Sequence, residues 1–300
     1  MNDLHAVGYR LITLLQQARS DALDGVMLGL TFLGDEPFYL LLIPILYWTM
    51  DRAVALRLTV LLLVSTWING VGKALVDLPR PSSAEVAVLA EESAGGVPSG
   101  HAQNAVVVWG YLASLRPGVW TVAAAALAAL AIGTSRLYLG VHFPHDLVVG
   151  WALGLVLLFL FLRLHARVED GLAAFLPAPS PRGWALLLLL GGGIPLAMLL
   201  LYREHEALAA AAALLGAGLG AVWERTRIRF SARGPLLHLA PRLVLGLGVA
   251  LLIWMGLREP LAVLGEPGRI LRYALLGLWI TAGAPVSFLV LGIGEREAAR

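Results

Sequence analysis

The chain has 300 residues, of which 59% are hydrophobic and only 14% charged, and its mean hydropathy is +0.79. Soluble globular domains carry about 25% charged residues, so this composition indicates a membrane protein and excludes a disordered, collagen-like or coiled-coil chain. The absence of cysteine excludes a disulfide scaffold, thiolate metal sites and thiol nucleophiles. The 22 basic residues are scattered between apolar runs rather than clustered on one face, which argues against nucleic-acid binding.

Nine charge-free apolar runs follow one another along the chain and predict membrane-spanning helices. A weaker tenth run, 22–34, contains Asp24 and is predicted either to span the membrane or to lie at its interface. None of the runs alternates with a period of two, which argues against a β-barrel. The sequence therefore predicts an all-α, polytopic membrane bundle, with spans at residues 37–50, 58–72, 102–115, 117–135, 147–162, 183–202, 207–223, 243–257 and 273–294.

The composition changes at residues 163–182, which combine charged residues with Pro177, Pro179 and Pro181. Prolines at this density end helices and stiffen a connector. We therefore predict a membrane core of about six helices at residues 1–168, a Pro-rich cytoplasmic linker at 169–182 and about four further transmembrane helices at 183–300. The sequence assigns neither a role to these last four helices nor an oligomeric state to the chain.

The distribution of arginines predicts the orientation in the membrane. With residues 22–34 spanning and the N-terminus cytoplasmic, fifteen arginines fall inside and four outside, the excess that the positive-inside rule describes. If 22–34 does not span, Arg10 and Arg19 change sides and the bias is still 13 to six. The other three basic residues are Lys73 (the only lysine), Arg80 and Arg136, and all three fall outside. We expect a multi-pass protein of the inner membrane whose periplasmic side carries these three cations.

Three polar clusters share this predicted outer side, and each contributes groups suited to binding an anion. Lys73, Arg80 and Arg136 offer positive charge, and the two guanidinium groups suit bidentate contacts with phosphate. Ser99 and Gly100 precede the run 102–115, and the N–H groups at a helix N-terminus bind anions. The clusters are Lys73 with Arg80-Pro81, then Pro98-Ser99-Gly100-His101, then Ser135-Arg136 with His142 and Asp146.

The histidines of these clusters supply the reactive groups. His142 and Asp146 are four residues apart, so on a helix the carboxylate reaches the imidazole. An Asp–His pair fixes the tautomer of the ring and stabilises its charged form. His101 lies on a different predicted helix and can act as a second acid or base. Cations, amide groups and two histidines together predict a phosphoryl-transfer site with a histidine nucleophile.

The spacing of these residues resembles the type 2 phosphatidic acid phosphatase superfamily. That superfamily has three motifs, and every defining position matches in the correct order over residues 35–162. They occur here as Lys73-x6-Arg80-Pro81, Pro98-Ser99-Gly100-His101 and Ser135-Arg136-x5-His142-x3-Asp146.

The resemblance implies a role for each matched residue. His142 attacks phosphorus and forms a phosphohistidine, and Asp146 orients it. His101 protonates the leaving oxygen and then activates the water that hydrolyses the intermediate. The phosphoryl oxygens are held by Lys73, Arg80, Arg136, Ser99 and the Gly100 amide. Neither a metal ion nor another cofactor is expected, because the cations supply the charge that Mg²⁺ provides elsewhere.

The predicted function is therefore that of an integral-membrane phosphatase acting on a lipid phosphate or pyrophosphate. Phosphatidic acid, phosphatidylglycerol phosphate, undecaprenyl pyrophosphate and sphingoid-base phosphates all fit the site chemistry. The alternatives are a sugar-phosphate phosphatase resembling glucose-6-phosphatase, a lipid phosphotransferase, and a non-enzymatic lipid transporter. Apart from the lipid substrate and the bilayer, no partner is predicted.

Polar residues outside the motifs are interpreted structurally. Asp35 and Glu36 begin a span on the outer side and are interpreted as structural, with a contact to substrate or to the 76–97 loop as the alternative. His145 is interpreted as interfacial. At least one of three further polar residues is expected to make a supporting hydrogen bond behind the site, and these are Asn69, Gln103 and Asn104.

Overall fold

The structure is a computed structural model that describes residues 3–92, 95–175 and 181–297. These residues form fourteen α-helices and one short antiparallel strand pair, in which β1 (Phe230–Ser231) lies against β2 (Glu295–Arg296). The helices are α1 (Asp3–Gln16), α2 (Asp21–Phe32), α3 (Glu36–Thr49), α4 (Arg52–Val76), α5 (Gly100–Ser114), α6 (Val119–Tyr138), α7 (Pro144–Phe175), α8 (Pro181–Leu188), α9 (Ile194–Leu201), α10 (His205–Trp223), α11 (Leu236–Leu251), α12 (Arg258–Ala262), α13 (Glu266–Leu278) and α14 (Ala284–Val290). Four π-helical segments extend or join them, at Leu189–Gly193, Glu224–Ile228, Leu252–Gly256 and Trp279–Gly283.

Within the described residues, seven helical segments are long and apolar enough to cross a membrane. This confirms the prediction of an all-α, polytopic membrane protein. Four of the seven lie after residue 182, as predicted. The segments are Arg52–Val76, Val119–Tyr138, Pro144–Asp170, Gly183–Leu201, His205–Ile228, Leu236–Gly256 and Glu266–Val290.

The N-terminal half contains fewer full-length spans than the apolar runs predicted. The runs 22–34 and 37–50 become α2 and α3, which meet at a 50° bend and together count as one broken span or a re-entrant pair. The run 102–115 becomes α5, whose 15 residues are short for a bilayer. The bend follows from Gly34 and Asp35, because glycine is a poor helix former and aspartate prefers helix starts.

Local sequence accounts for several helix boundaries. The Ser20 hydroxyl accepts a hydrogen bond from the Leu23 amide at 3.3 Å and caps α2. Pro144 opens α7, where its fixed φ and missing N–H are tolerated. The prolines at 177 and 179 of the predicted linker lie outside the described residues, whereas α7 itself continues to Phe175.

The chain folds into two compact units, each made of two segments. Unit 1 comprises residues 1–39 and 68–162. Within it α5 packs along α6, and small residues let α7 approach α5. A Cβ atom added at Gly150 would lie 2.6 Å from the Ser99 carbonyl oxygen, and one added at Gly154 would lie 2.6 Å from that of Gln103. Close approach of helix backbones through small residues four apart is common in membrane proteins, and here it brings the start of α5 against the start of α7.

Unit 2 comprises residues 40–67 and 163–300. Its core includes Trp48, Phe230 and Phe288, which are fully buried. The Trp48 indole N–H donates to the Ile280 carbonyl at 2.8 Å. Small residues also bring α10 against α13 here, in line with the close packing expected of an alanine- and glycine-rich run. All the candidate site residues belong to unit 1.

Candidate active site

The three predicted motifs meet in unit 1 at the ends of four consecutive helices. Lys73 lies in the last turn of α4 and Arg136 in the last turn of α6. Gly100 opens α5, and Asp146 lies in the first turn of α7. The Ser99 amide donates to the Asp146 carbonyl oxygen at 3.0 Å, which joins the start of α5 directly to the start of α7.

His142 and Asp146 form a buried pair. The His142 Nδ1 atom lies 3.0 Å from Asp146 Oδ2, and the two side chains are 1% and 0% exposed. The same Oδ2 accepts a hydrogen bond from the Phe143 amide at 2.9 Å, so the carboxylate is held from two directions. His145 Nε2 is 3.1 Å from the other oxygen, Oδ1, without hydrogen-bond geometry. Asp146 therefore fixes the orientation of the His142 ring.

The other nitrogen of His142 faces Arg80. His142 Nε2 lies 3.0 Å from Arg80 Nη1, and this Nη1 also donates to the Val141 carbonyl at 2.9 Å. A guanidinium group can only donate, so Nε2 is the acceptor and carries a lone pair. The proton of the neutral ring is then on Nδ1 and is donated to Asp146. This is the tautomer that a nucleophilic Nε2 requires.

Electrostatics keep this histidine neutral. Burial lowers the pKa of His142 well below its usual value, and the positive charges of Arg80, Arg136 and Lys73, followed by His101, lower it further. The lone pair on Nε2 is consequently available at pH values below the usual pKa of histidine. A neutral imidazole among cations is suited to attack on an anionic phosphate.

The cations of the site surround an acidic residue that sequence reasoning did not single out. Glu92 Oε2 lies 3.2 Å from Arg80 Nη2, and Glu92 Oε1 pairs with Arg136 Nη2. Arg136 is 2% exposed and also donates to the Thr31 hydroxyl at 2.5 Å. Lys73 is buried as well. The Glu92 carboxylate therefore occupies the space between two guanidinium groups that were predicted to hold phosphate. The only feature of the sequence that points to Glu92 is its position in the acidic pair Glu91-Glu92 of the predicted outer loop.

The start of α5 offers further donors. Ser99 is the N-cap of α5, yet its buried hydroxyl has no hydrogen-bond partner among the described residues. Behind it, the Asn69 amide donates to the Pro98 carbonyl at 3.2 Å and to Gln103 Oε1 at 2.8 Å. This supports the turn that precedes α5, the kind of supporting bond that was expected of Asn69 and Gln103. A buried donor without a partner beside helix N-terminal amides is suited to an anion.

His101 has its own acidic neighbour. His101 Nε2 lies 2.7 Å from Asp35 Oδ1, and the two side chains are 17% and 36% exposed. The interpretation of Asp35 as structural, with a contact to substrate or to the 76–97 loop as the alternative, did not anticipate a contact with His101. Its only signal in the sequence is a carboxylate at the outer end of a predicted span. Among the described residues, no group of three or more His, Asp or Glu side chains is arranged to hold a metal ion.

Comparison with known families agrees with the motif assignment. The PAP2 superfamily model matches residues 54–170, and the model described as PAP2 superfamily phosphatase, transmembrane extension, matches residues 208–296. The second match covers most of the four C-terminal helices to which the sequence assigned no role. Together the two models cover both the motif-bearing region and its C-terminal extension.

Individual relatives support the same assignment. Lipid phosphate phosphatase delta of Arabidopsis thaliana is 31% identical over 54% of this chain, which covers 43% of that protein. Phosphatidylglycerophosphatase B of Bacillus subtilis is 36% identical over 50% of this chain, which covers 79% of that protein. The crystal structure of a transmembrane PAP2 type phosphatidylglycerolphosphate phosphatase from Bacillus subtilis has 29% identity and a TM-score of 0.48, over 56% of this chain and 89% of that one. The two family models and the 36% identity to phosphatidylglycerophosphatase B establish that the chain belongs to the PAP2 superfamily.

Proposed function

We propose that this protein is an integral-membrane phosphatase that hydrolyses a phosphate monoester or pyrophosphate group carried by a lipid. The observation that carries the proposal is the setting of His142: its Nε2 lies 3.0 Å from the Arg80 guanidinium, which can only donate, and its Nδ1 lies 3.0 Å from the Asp146 carboxylate. A structural histidine has no need of such an arrangement, and a protein that only binds lipid has no need of a buried nucleophile–carboxylate pair.

In the first chemical step the lone pair of His142 Nε2 attacks phosphorus. The bond between phosphorus and the leaving oxygen breaks as the N–P bond forms. A proton from His101 moves to the leaving oxygen, which departs as an alcohol. The Asp146 carboxylate, hydrogen-bonded to Nδ1–H, stabilises the positive charge that the phosphorylated ring acquires.

In the second step water replaces the histidine. The now neutral His101 accepts a proton from the water as its oxygen attacks phosphorus. The N–P bond breaks, its electrons return to His142 Nε2, and inorganic phosphate is released. Both steps build negative charge on the phosphoryl oxygens, and in this proposal the side chains of Lys73, Arg80 and Arg136 neutralise it. The Ser99 hydroxyl and the Gly100 amide add uncharged donors.

A lipid substrate is supported by the membrane setting and by the relatives. Two of the relatives are named for lipid phosphates, and the candidate site lies at the ends of apolar helices where phospholipid headgroups are found. Residues 88–92, beside the arginine pair, line an open surface depression of about 950 Å³.

The function is tested by phosphate release from a substrate panel with the purified protein in detergent. The panel contains phosphatidic acid, phosphatidylglycerol phosphate, undecaprenyl pyrophosphate, a sphingoid-base phosphate and glucose-6-phosphate. We expect release from at least one lipid, inhibition by orthovanadate as a transition-state mimic, and less than about a twofold change on addition of EDTA, because the cationic side chains supply the charge. Release from glucose-6-phosphate alone would favour the sugar-phosphate alternative, and strict dependence on Mg²⁺ would contradict the mechanism.

Replacing Glu92 tests whether the two arginines bind the phosphoryl group. Because a carboxylate paired with both guanidinium groups competes with any other anion, Glu92→Gln should lower the inhibition constant of inorganic phosphate by about tenfold, as expected for losing a charge-assisted hydrogen bond. Glu91→Gln removes the same charge at the neighbouring position and should change the constant by less than about threefold. Equal changes of the inhibition constant in the two variants would mean that Glu92 acts only through the negative charge of the loop, and not by competing with phosphate for the two arginines.

The proposal includes a location for the site. Lys73, Gly100, Arg136 and Asp146 lie at the end of α4, the start of α5, the end of α6 and the start of α7. Helices that cross the membrane in alternate directions bring these ends to one side, which the arginine bias predicts to be periplasmic. The Tyr9 hydroxyl accepts from the Ser82 amide at 3.0 Å, and Gln16 donates to the Ala87 and Tyr138 carbonyls, so α1 lies on the same side as the site. The N-terminus is therefore proposed to be periplasmic, as in the alternative in which 22–34 does not span, rather than cytoplasmic. The membrane is proposed to be the inner one.

Cysteine labelling tests this orientation against a clean background, because the chain has no native cysteine. Ser83 and Arg233 are both exposed and lie in loops predicted to face opposite sides. A cysteine at position 83 should react with a membrane-impermeant maleimide in intact cells, and one at position 233 only after permeabilisation. The reverse pattern would put the site in the cytoplasm.

A further inference from the structure

We propose that Asp35 is a positioning residue for His101, so that the site contains two Asp–His pairs, one for each histidine of the reaction. The inference rests on the proposed function, in which His101 protonates the leaving oxygen. Asp35 does not belong to any of the three motifs. Its assignment comes from the contact between Asp35 Oδ1 and His101 Nε2 at 2.7 Å.

The backbone around Asp35 holds its carboxylate in place. The Asp35 amide donates to the Phe32 carbonyl at 3.1 Å, and the Asp35 carbonyl accepts from the Phe38 amide at 3.1 Å. The turn between α2 and α3 is therefore hydrogen-bonded on both sides of this residue. With the backbone fixed, only the two side-chain torsions of Asp35 remain to be ordered when it pairs with an imidazole.

The preceding residue lets the ring approach this turn. A Cβ atom added at Gly34 would lie 2.6 Å from His101 Cδ2 and 3.3 Å from Ile132 Cγ2. The His101 imidazole thus rests on the Gly34 backbone while its Nε2 contacts Asp35. Two consecutive residues between α2 and α3 consequently set both the position and the rotation of the ring.

The pairing decides which nitrogen of His101 exchanges protons. An ionised carboxylate only accepts hydrogen bonds, so Nε2–H is the donor and stays protonated. Nδ1 is then the nitrogen that delivers a proton to the leaving oxygen and takes one back from water. Other ionisable groups lie close to this pair. His142 interacts electrostatically with His101, and Arg136 and Tyr39 interact electrostatically with Asp35.

Leaving-group dependence separates a positioning role from a structural one. An alkyl phosphate needs a proton on its leaving oxygen, whereas nitrophenolate leaves without one. The ratio kcat/KM reports only the steps up to departure of the leaving group. We therefore expect Asp35→Asn to lower kcat/KM by about 100-fold for an alkyl phosphate, at the low end of what general acids contribute, and by less than about fivefold for p-nitrophenyl phosphate.

The controls use variants of the same chain. Retained activity toward p-nitrophenyl phosphate shows that Asp35→Asn is folded, and Asp35→Ala should give the same ratio. His101→Ala should lower kcat/KM for the alkyl ester relative to p-nitrophenyl phosphate by at least as large a factor as Asp35→Asn does. Glu36→Gln removes a carboxylate from the adjacent position and should affect both esters equally. The inference would be overturned if Asp35→Asn lowered kcat/KM equally for both esters while His101→Ala still lowered it more for the alkyl ester. The proposed function would remain intact in that case.

A spectroscopic measurement does not depend on turnover. With ¹⁵N-labelled histidine, and His101→Gln to identify the signal, neutral His101 should be protonated on Nε2 in the wild-type protein and lose this preference in Asp35→Asn. If the wild-type protein hydrolyses neither ester, the proposed function fails, and this spectrum still decides the pairing. A wild-type ring protonated on Nδ1 alone would overturn it.

Discussion

His142→Ala is expected to abolish turnover, with a loss on the order of 10⁶-fold, as for removal of other enzyme nucleophiles. The reason is the position of Nε2: it is the unprotonated nitrogen in contact with Arg80, and alanine has no atom that forms a bond to phosphorus. The wild-type protein, quenched during turnover of a ³²P-labelled substrate, should carry an acid-labile phospho-adduct. The variant should carry none.

Two controls accompany this variant. Size-exclusion chromatography and circular dichroism establish that the protein remains folded, since His142 is 1% exposed and its removal leaves a small void. His205→Ala changes an exposed histidine at the start of α10, in unit 2, and should retain full activity. Substantial turnover by folded His142→Ala would contradict the nucleophile assignment.

Asp146→Asn is expected to lower kcat by about 10³-fold or more while KM changes little. Loss of the carboxylate in a comparable Asp–His pair reduces kcat by about 10⁴-fold. Oδ2 of Asp146 accepts from both His142 Nδ1 and the Phe143 amide, and an asparagine oxygen can keep these contacts without the negative charge. The ring must then become positively charged on phosphorylation with no buried counter-charge, which raises the barrier to its formation. Substrate is still held by the three cations, so binding is preserved.

The measurement is steady-state kinetics on the preferred substrate, combined with the amount of phospho-adduct. Asp170→Asn makes the same exchange at an exposed position of the same helix and should leave kcat within about twofold. A folded Asp146→Asn variant within tenfold of wild-type kcat would show that the carboxylate only shapes the turn before α7.

Much of the molecule was predictable from local patterns. Apolar runs predicted an all-α membrane protein, which is confirmed, and the motif spacing predicted the family to which the chain belongs. The roles of His142, His101, Asp146 and the three cations stay predictions, although the structure brings these side chains together in unit 1. Spacing is informative here because His142 and Asp146 are separated by one helical turn, so their contact is decided locally.

The number of spans was less predictable. Residues 22–34 and 37–50 are apolar enough to be counted separately, but they form a pair bent by 50°. Residues 102–115 form a helix of 15 residues. Hydropathy measures whether a segment prefers lipid, whereas the path of a segment depends on what packs against it. The glycines of α7 that face the carbonyl groups of α5 are part of that packing.

The sequence by itself determined the membrane class, the family and the residues of the phosphoryl-transfer motifs, because these follow from composition and from spacing within a few helical turns. Only the tertiary structure decided that Asp35 pairs with His101, 66 residues away, and that Glu92 lies between Arg80 and Arg136. Both acids lie in connections between helices, where no periodicity constrains the direction of a side chain. Their partners are selected by the packing of the helix ends on which the cations and histidines lie, and that packing is a property of the whole unit rather than of any local pattern.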